Sequence, residues 1–141
     1  MKVSTKGRYA LRMLLDLTEH KDEGFISLRD VAERQNISKQ YLEQIVSLLN
    51  PARILRTNRG KRGGYMLAVD PSSCTVGQIL RLTEGSIAPV ACLEDAINYC
   101  ERAETCKTLP MWIGLEKLIA DYVDSITLQD LLEQSQEQGV D

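Results

Sequence analysis

Three helical stretches, a short turn between the second and third, and a strand–turn–strand directly after them predict a mainly α fold with a small β-hairpin wing. That order is a winged helix–turn–helix. A long helix nearer the C-terminal end adds a second part. The chain of 141 residues is 43% hydrophobic and 26% charged, a globular balance that argues against wholesale disorder and allows a real core.

The first helix spans about 5–20, with Tyr9, Leu11, Met13, Leu14, Leu15 and Leu17 as its apolar pattern. Lys21-Asp22-Glu23-Gly24 ends it with a turn-forming Gly. Ser27 is an N-cap for a second helix, with Asp30 three residues on and Val31 and Ala32 facing a core. Asn36 breaks that pattern. Ser38 caps a third helix over about 39–50, which buries Leu42, Ile45, Val46 and Leu49 before Pro51 stops it. Ile54-Leu55, a Gly-rich turn over 57–64, and Tyr65-Met66-Leu67-Ala68-Val69 read as a β-hairpin. Thr75 caps a fourth helix through Glu84, burying Val76, Ile79, Leu80 and Leu82. Residues 85–110 show weak periodicity. A long helix over about 111–125 follows, then a short one from Thr127 with Leu128, Leu131 and Leu132 on one face. The polar residues from Gln134 are expected to fray. The expected organisation is a winged helix–turn–helix over 1–70, a cysteine loop and assembly region over 71–133, and a polar tail over 134–141.

Charge is unevenly placed. Residues 1–67 carry 13 Lys and Arg against 7 Asp and Glu, a net of +6, whereas 68–141 carry 4 against 13, a net of −9. A basic half points at a polyanion, with a merely solvated surface as the plain alternative, and the acidic half would keep any such contact local. No stretch approaches the roughly 20 apolar residues of a membrane span, and the first residues lack a signal peptide's apolar run. A cytoplasmic location is therefore expected. An enzyme is not: there is no nucleophile–base pair, no pair of catalytic carboxylates, and one isolated histidine, His20.

The third helix would enter a major groove N-terminus first. With Leu42, Ile45 and Val46 inward, Ser38, Lys39, Gln40, Tyr41, Glu43, Gln44 and Ser47 face outward. Gln reads adenine, Glu accepts from cytosine, and Ser meets either base or phosphate. Lys39 and Tyr41 suit phosphates. Glu43 would exclude sites that offer it no cytosine amine. At the hairpin tip, Arg59, Lys61 and Arg62 stand among glycines and suit phosphates or a narrow minor groove. No Gly-Lys-Ser/Thr follows, which argues against a nucleotide-binding loop. A merely solvated helix face is the plain alternative, and the helix–turn–helix order weighs against it.

Cys92, Cys100 and Cys106 fall in one segment, spaced C-x7-C-x5-C, with Cys74 apart. In a cytoplasmic chain these do not read as a disulfide framework. Three thiolates on one loop suit a metal or iron–sulfur site, although a tight Cys-x-x-Cys pair is missing and spacing alone leaves inert thiols open. Zinc, completed by a carboxylate or water, is the less favoured metal and would be structural.

Five motifs occur together: Ser4-Thr5-Lys6-Gly7-Arg8-Tyr9-Ala10, Tyr41-Leu42-Glu43-Gln44, Arg59-Gly60 with Gly63-Gly64-Tyr65, Val76-Gly77-Gln78-Ile79, and Ile126-Thr127-Leu128-Gln129-Asp130-Leu131. In combination, over about residues 1–132, the chain resembles the IscR-type (Rrf) winged-helix transcriptional regulators. That family includes regulators of iron–sulfur biogenesis (IscR), cysteine metabolism (CymR) and nitric-oxide response (NsrR). The resemblance implies a long C-terminal dimerisation helix, here 111–125, and a homodimeric repressor-type regulator on a dyad-symmetric DNA operator. It implies base reading by Glu43 and Gln44 and minor-groove entry by Arg59. Independently, one small module offers little surface for tight operator binding, so two half-sites about one helical turn apart are sensible. The resemblance further implies that Cys92, Cys100 and Cys106 hold a 2Fe–2S or 4Fe–4S cluster sensing iron, redox or nitric oxide status. In IscR the fourth ligand is a His three residues after the last loop cysteine. Here that place holds Leu109, and the acidic residue that some relatives supply from the other subunit corresponds to Arg8. Glu94, Asp95, Glu101, Glu104, Glu43, Cys74 or a solution ligand stay open for the fourth place. The alternative is a cluster-free repressor of the CymR type, controlled by a partner protein or by thiol oxidation.

Overall fold

The computed structural model describes residues 2–137, with side chains as far as Ser135. Ser4 caps α1 (Thr5–Glu19), Ser27 caps α2 (Leu28–Gln35) and Ser38 caps α3 (Lys39–Leu49). Each hydroxyl accepts the backbone N–H three residues on, which satisfies one orphan donor of the helix start. Asn36, at φ 54, closes the turn between α2 and α3 in a left-handed conformation that Asn tolerates. Pro51 lies in the 3-10 turn that ends α3.

β1 (Leu55–Asn58) and β2 (Gly64–Leu67) pair antiparallel, Leu55 opposite Leu67 and Asn58 opposite Gly64. Ile26, just before α2, bridges Tyr65 through N–H···O contacts of 2.9 and 2.7 Å. The wing is thereby hydrogen-bonded to the helix–turn–helix. Gly64 permits this bridge, because a Cβ there would collide with the Ile26 carbonyl. Thr75 caps α4 (Val76–Glu84); α5 (Leu109–Asp124) and α6 (Leu128–Glu137) follow.

α1 is the central element and packs on α2, α3, α4, α6 and β2. Its Ala10, Met13, Leu14 and Leu17 share one buried cluster with Val31, Leu42, Ile45, Leu49, Ile54, Cys74, Ile79 and Leu128. One core therefore runs on both sides of position 70. Each fully buried leucine or isoleucine here contributes roughly 2 kcal/mol.

Several local expectations change. α5 begins at Leu109 rather than 111, because Pro110 suits a helix's first turn. Ala32, Val76 and Leu82 are half-buried, and Gly77 takes the tight place on α4 with Asp124 packed on it. The strands are Leu55–Asn58 and Gly64–Leu67, with Ile54 fully buried just outside the first. The expected tail is helical at its start: α6 continues to Glu137, and 138–141 lie outside the described residues.

Candidate nucleic-acid interface and thiol segment

The helix–turn–helix is fastened to α1 through a buried carboxylate. The Asp16 side chain is 1% exposed and accepts from Arg34 Nε at 3.0 Å, Arg34 Nη2 at 2.7 Å and Gln35 Nε2 at 3.0 Å. Burial pushes this carboxyl up, but the hydrogen bonds from Arg34 and Gln35, with the charges of Arg34 and His20, together hold it below the ordinary aspartate range. Arg12 donates to the Gln35 side chain at 3.2 Å and to the Gln35 carbonyl. Its guanidinium also lies 5.1 Å over the Tyr9 ring, and Tyr9 meets Tyr41 edge-on at 5.6 Å. The last turn of α2 and the first of α3 are thus both held from α1, which sets the angle at which α3 is presented. Sequence reasoning overlooked Asp16. Its signal is a lone carboxylate on the inward stripe of α1, three residues after Met13.

Ser38, Lys39, Gln40, Glu43, Gln44 and Ser47 are exposed along α3. Tyr41 departs from the expected outward set: it is half-buried, its ring a strut against Tyr9. Lys39 Nζ lies 4.0 Å from Glu43 Oε1. Arg59, Lys61 and Arg62 are exposed at the hairpin tip, where Gly60 takes φ 120 and a Cβ on Gly63 would stand 2.6 Å from the Asn58 carbonyl oxygen. An open cleft between α3 and the wing is lined by Arg29, Lys39, Glu43, Gly63 and Gly64. Arg29 is a further overlooked residue, exposed in the first turn of α2. Its signal is a cation beside a capped helix N-terminus. A polar helix face beside a cationic hairpin can offer donors and acceptors to base edges while the hairpin follows phosphates.

The four cysteines are free thiols in different settings. Cys74 is a core residue whose burial pushes its thiol up, and its carbonyl accepts from Leu128 N at 2.9 Å. Cys92 is half-buried in a 3-10 turn over Ala91–Leu93, and Cys100 is exposed. Cys106 is half-buried, with Sγ 3.4 Å from Thr108 Oγ1. That contact first, then the N–H groups of Thr108 and Leu109 and the Arg102 charge, hold its thiol below the usual range. The structure does not gather the three loop thiols: among the described residues, no group of three His, Cys, Asp or Glu side chains stands at metal-holding separation. The donor chemistry fits a thiophilic metal or iron–sulfur cluster, while the separation requires the segment to draw in. Glu116 Oε2 on α5 is buried without a hydrogen-bond partner among the described residues, beside a cavity lined by Leu93 and Glu94, the two residues after Cys92.

α5 itself is rooted at one end. Asp124 accepts from Arg81 Nη1 at 2.6 Å and Nη2 at 2.9 Å, and Thr127 bridges Thr75. The other end continues the thiol segment. Along α5, Met111, Ile113, Leu118 and Tyr122 are 50–70% exposed, a large apolar surface for one helix. No helix among the described residues is long and apolar enough to cross a membrane.

The profile of the Rrf2 family, described as an iron-dependent transcriptional regulator, matches residues 3–134. The HTH-type transcriptional regulator CymR of Bacillus subtilis is 40% identical over 131 residues, 93% of this chain and 89% of that protein. The HTH-type transcriptional regulator IscR of Aliivibrio salmonicida is 35% identical over 140 residues, 99% of this chain and 82% of that protein. The solved structure of T. potens IscR matches with a TM-score of 0.78 at 36% identity, covering 100% of this chain and 93% of that one.

Proposed function

The chain belongs to the Rrf2 family of transcriptional regulators, and from that membership we propose a cytoplasmic, homodimeric, repressor-type regulator whose operator binding is controlled by an iron–sulfur cluster on Cys92, Cys100 and Cys106. Its targets are genes of iron–sulfur biogenesis or cysteine metabolism. The observation that carries the DNA reading is the exposed polar face of α3 beside the cationic hairpin tip, both held in place by hydrogen bonds and packing. Gln40 and Gln44 read adenine edges, Glu43 selects a cytosine amine, and Ser38, Lys39, Ser47, Lys61 and Arg62 take phosphates. Arg59 enters the minor groove. The apolar surface of α5 is the dimer face, and the operator is double-stranded DNA with dyad symmetry.

Three free thiols on the segment that runs into α5 support the sensor reading, as does the similarity to IscR. When bound, an iron–sulfur cluster supplies thiolate cross-links that oxidants, nitric oxide and iron limitation remove. Cys106 lies three residues before the start of α5. Arg81 and Asp124 hold the far end of α5 to α4, α4 packs on α1, and Asp16 ties α1 to α2. The thiol segment is thereby joined to α3 through continuously packed elements.

A second reading is favoured by the ungathered thiols and by the similarity to CymR: a cluster-free repressor controlled by thiol oxidation or by a partner protein on the acidic half. Selection of duplexes from a random pool by anaerobic protein, with and without cluster reconstitution, tests both. A dyad-symmetric motif bound with different affinity by the two forms is expected. No enriched motif would overturn the DNA reading, and equal affinity in the two preparations would favour the second reading.

A further inference from the structure

We infer that Arg29 of α2 and Lys39 of α3 together hold one backbone phosphate of each operator half-site, an inference that rests on the DNA reading above. In a helix–turn–helix the first helix of the pair crosses the nucleic-acid backbone while the second enters the groove. α2 is that first helix, and Arg29 is its second residue. Arg29 pairs with Glu33, one turn on in the same helix, at 3.7 Å, and the two side chains are 82% and 70% exposed. A pair so exposed is weak and yields to a phosphate, which a guanidinium takes with two parallel N–H donors.

The surroundings of Arg29 favour an anion. Arg29 and Lys39 line one open cleft between α2, α3 and the wing, with Glu43 as the acid on its walls. Lys39 Nζ lies 4.0 Å from Glu43 Oε1, so the carboxylate is already countered and the Arg29 charge is the surplus. The cleft on the other side of Gly63 is balanced instead: Lys61 and Arg62 stand with Glu23 and Asp30. Charge therefore draws a phosphate to the α3 side. The wing's wall of that cleft includes Gly63 and Gly64. Neither place tolerates a Cβ, which would stand 2.6 Å from the Asn58 carbonyl oxygen at Gly63 and 2.3 Å from the Ile26 carbonyl oxygen at Gly64. With no side chain at either place, a phosphate can lie close against the wing's backbone.

Both cations stand on fixed backbone. Ser27 caps α2 through the Asp30 N–H at 3.1 Å, and Ser38 caps α3 through the Tyr41 N–H at 3.1 Å. The Ile26–Tyr65 bridge holds the chain just before α2, and Asp16 holds its last turn through Arg34 and Gln35. One phosphate held between the starts of α2 and α3 fixes the register in which Glu43 and Gln44 meet base edges.

The test uses the full chain and a duplex that the wild type binds, read by fluorescence anisotropy over a salt series. The variants are Arg29→Ala, Arg29→Lys, Lys39→Ala and Glu33→Gln. Arg29→Ala should weaken binding roughly tenfold on every duplex and reduce the salt slope by about one. Arg29→Lys should restore the slope. Glu33→Gln, which breaks the same ion pair but keeps the cation, should leave affinity and slope unchanged. Duplexes in which single phosphates are replaced by neutral methylphosphonates locate the contact. One linkage per half-site should weaken the wild type and have no further effect on Arg29→Ala or on Lys39→Ala. A wild-type slope in Arg29→Ala, an equal loss in Glu33→Gln, or insensitivity at different linkages in the two alanine variants overturns the inference. So does relaxed choice at one base position in Arg29→Ala, which would make Arg29 a base reader. A wild type that binds no duplex overturns the DNA reading and this inference with it.

Discussion

Asp16 is the residue on which the presentation of α3 depends. Asp16→Ala removes a buried carboxylate that accepts charge-assisted hydrogen bonds from the solvent-reaching Arg34, so it should lower the unfolding free energy by about 1–3 kcal/mol, read from urea midpoints. The pH dependence has a fixed sign. The carboxyl is held below its unfolded value, so its contribution is fully present above about pH 4 and is lost as pH falls through the lower, folded value. Asp16→Asn should flatten the acid limb of the stability profile below pH 4; an unchanged limb would contradict the role given to Asp16. On α3, Gln44→Ala should weaken operator binding by about 1–3 kcal/mol and relax choice at one base position. Arg62→Ala should instead weaken all sequences alike and reduce the salt slope by about one. The outward residues of α3 were legible because the apolar positions recur every three to four residues. Asp16 and Tyr41 were not, since their partners lie on other helices, Arg34 being 18 residues from Asp16, and a period says nothing of contacts at that range.

The helices show which local signals decide structure. Ser27, Ser38 and Thr75 mark starts that a hydroxyl can enforce, and all three were legible. The start of α5 was less so, because Thr108 makes no side-chain cap and Pro110 lets the helix begin earlier. α6 extends into residues without apolar pattern because Thr127 and Asp130 cap it reciprocally, each side chain accepting the other's N–H at 3.0 Å. The clamp at the root of α5 invites two contrasting variants. Both partners of the Arg81–Asp124 pair are 43% exposed, so Asp124→Ala should cost no more than about 1 kcal/mol. Gly77→Val, which drives a side chain into the space that Asp124 occupies, should destabilise measurably more. Leu118→Lys places a charge on the exposed apolar face of α5 and should give a monomer in sedimentation velocity, with the fold intact by circular dichroism. A dimer of unchanged affinity would move the dimer face elsewhere.

Across the whole molecule, the charge divides into a basic head of +6 and an acidic remainder of −9, so operator affinity is expected to fall steeply with salt. The three loop cysteines were legible as a group, since they share a segment without competing periodicity. Their separation was not, because it depends on how an irregular segment of turns closes, and neither was Glu116, which becomes notable only once the cavity beside it exists. Anaerobic purification of wild type and Cys92→Ala, followed by a visible absorption spectrum and iron and sulfide analysis, tests cluster control most directly. Charge-transfer bands with iron and sulfide are expected in the wild type, and their loss in Cys92→Ala. A colourless, iron-free wild type that remains dimeric and binds its operator after attempted reconstitution would contradict it.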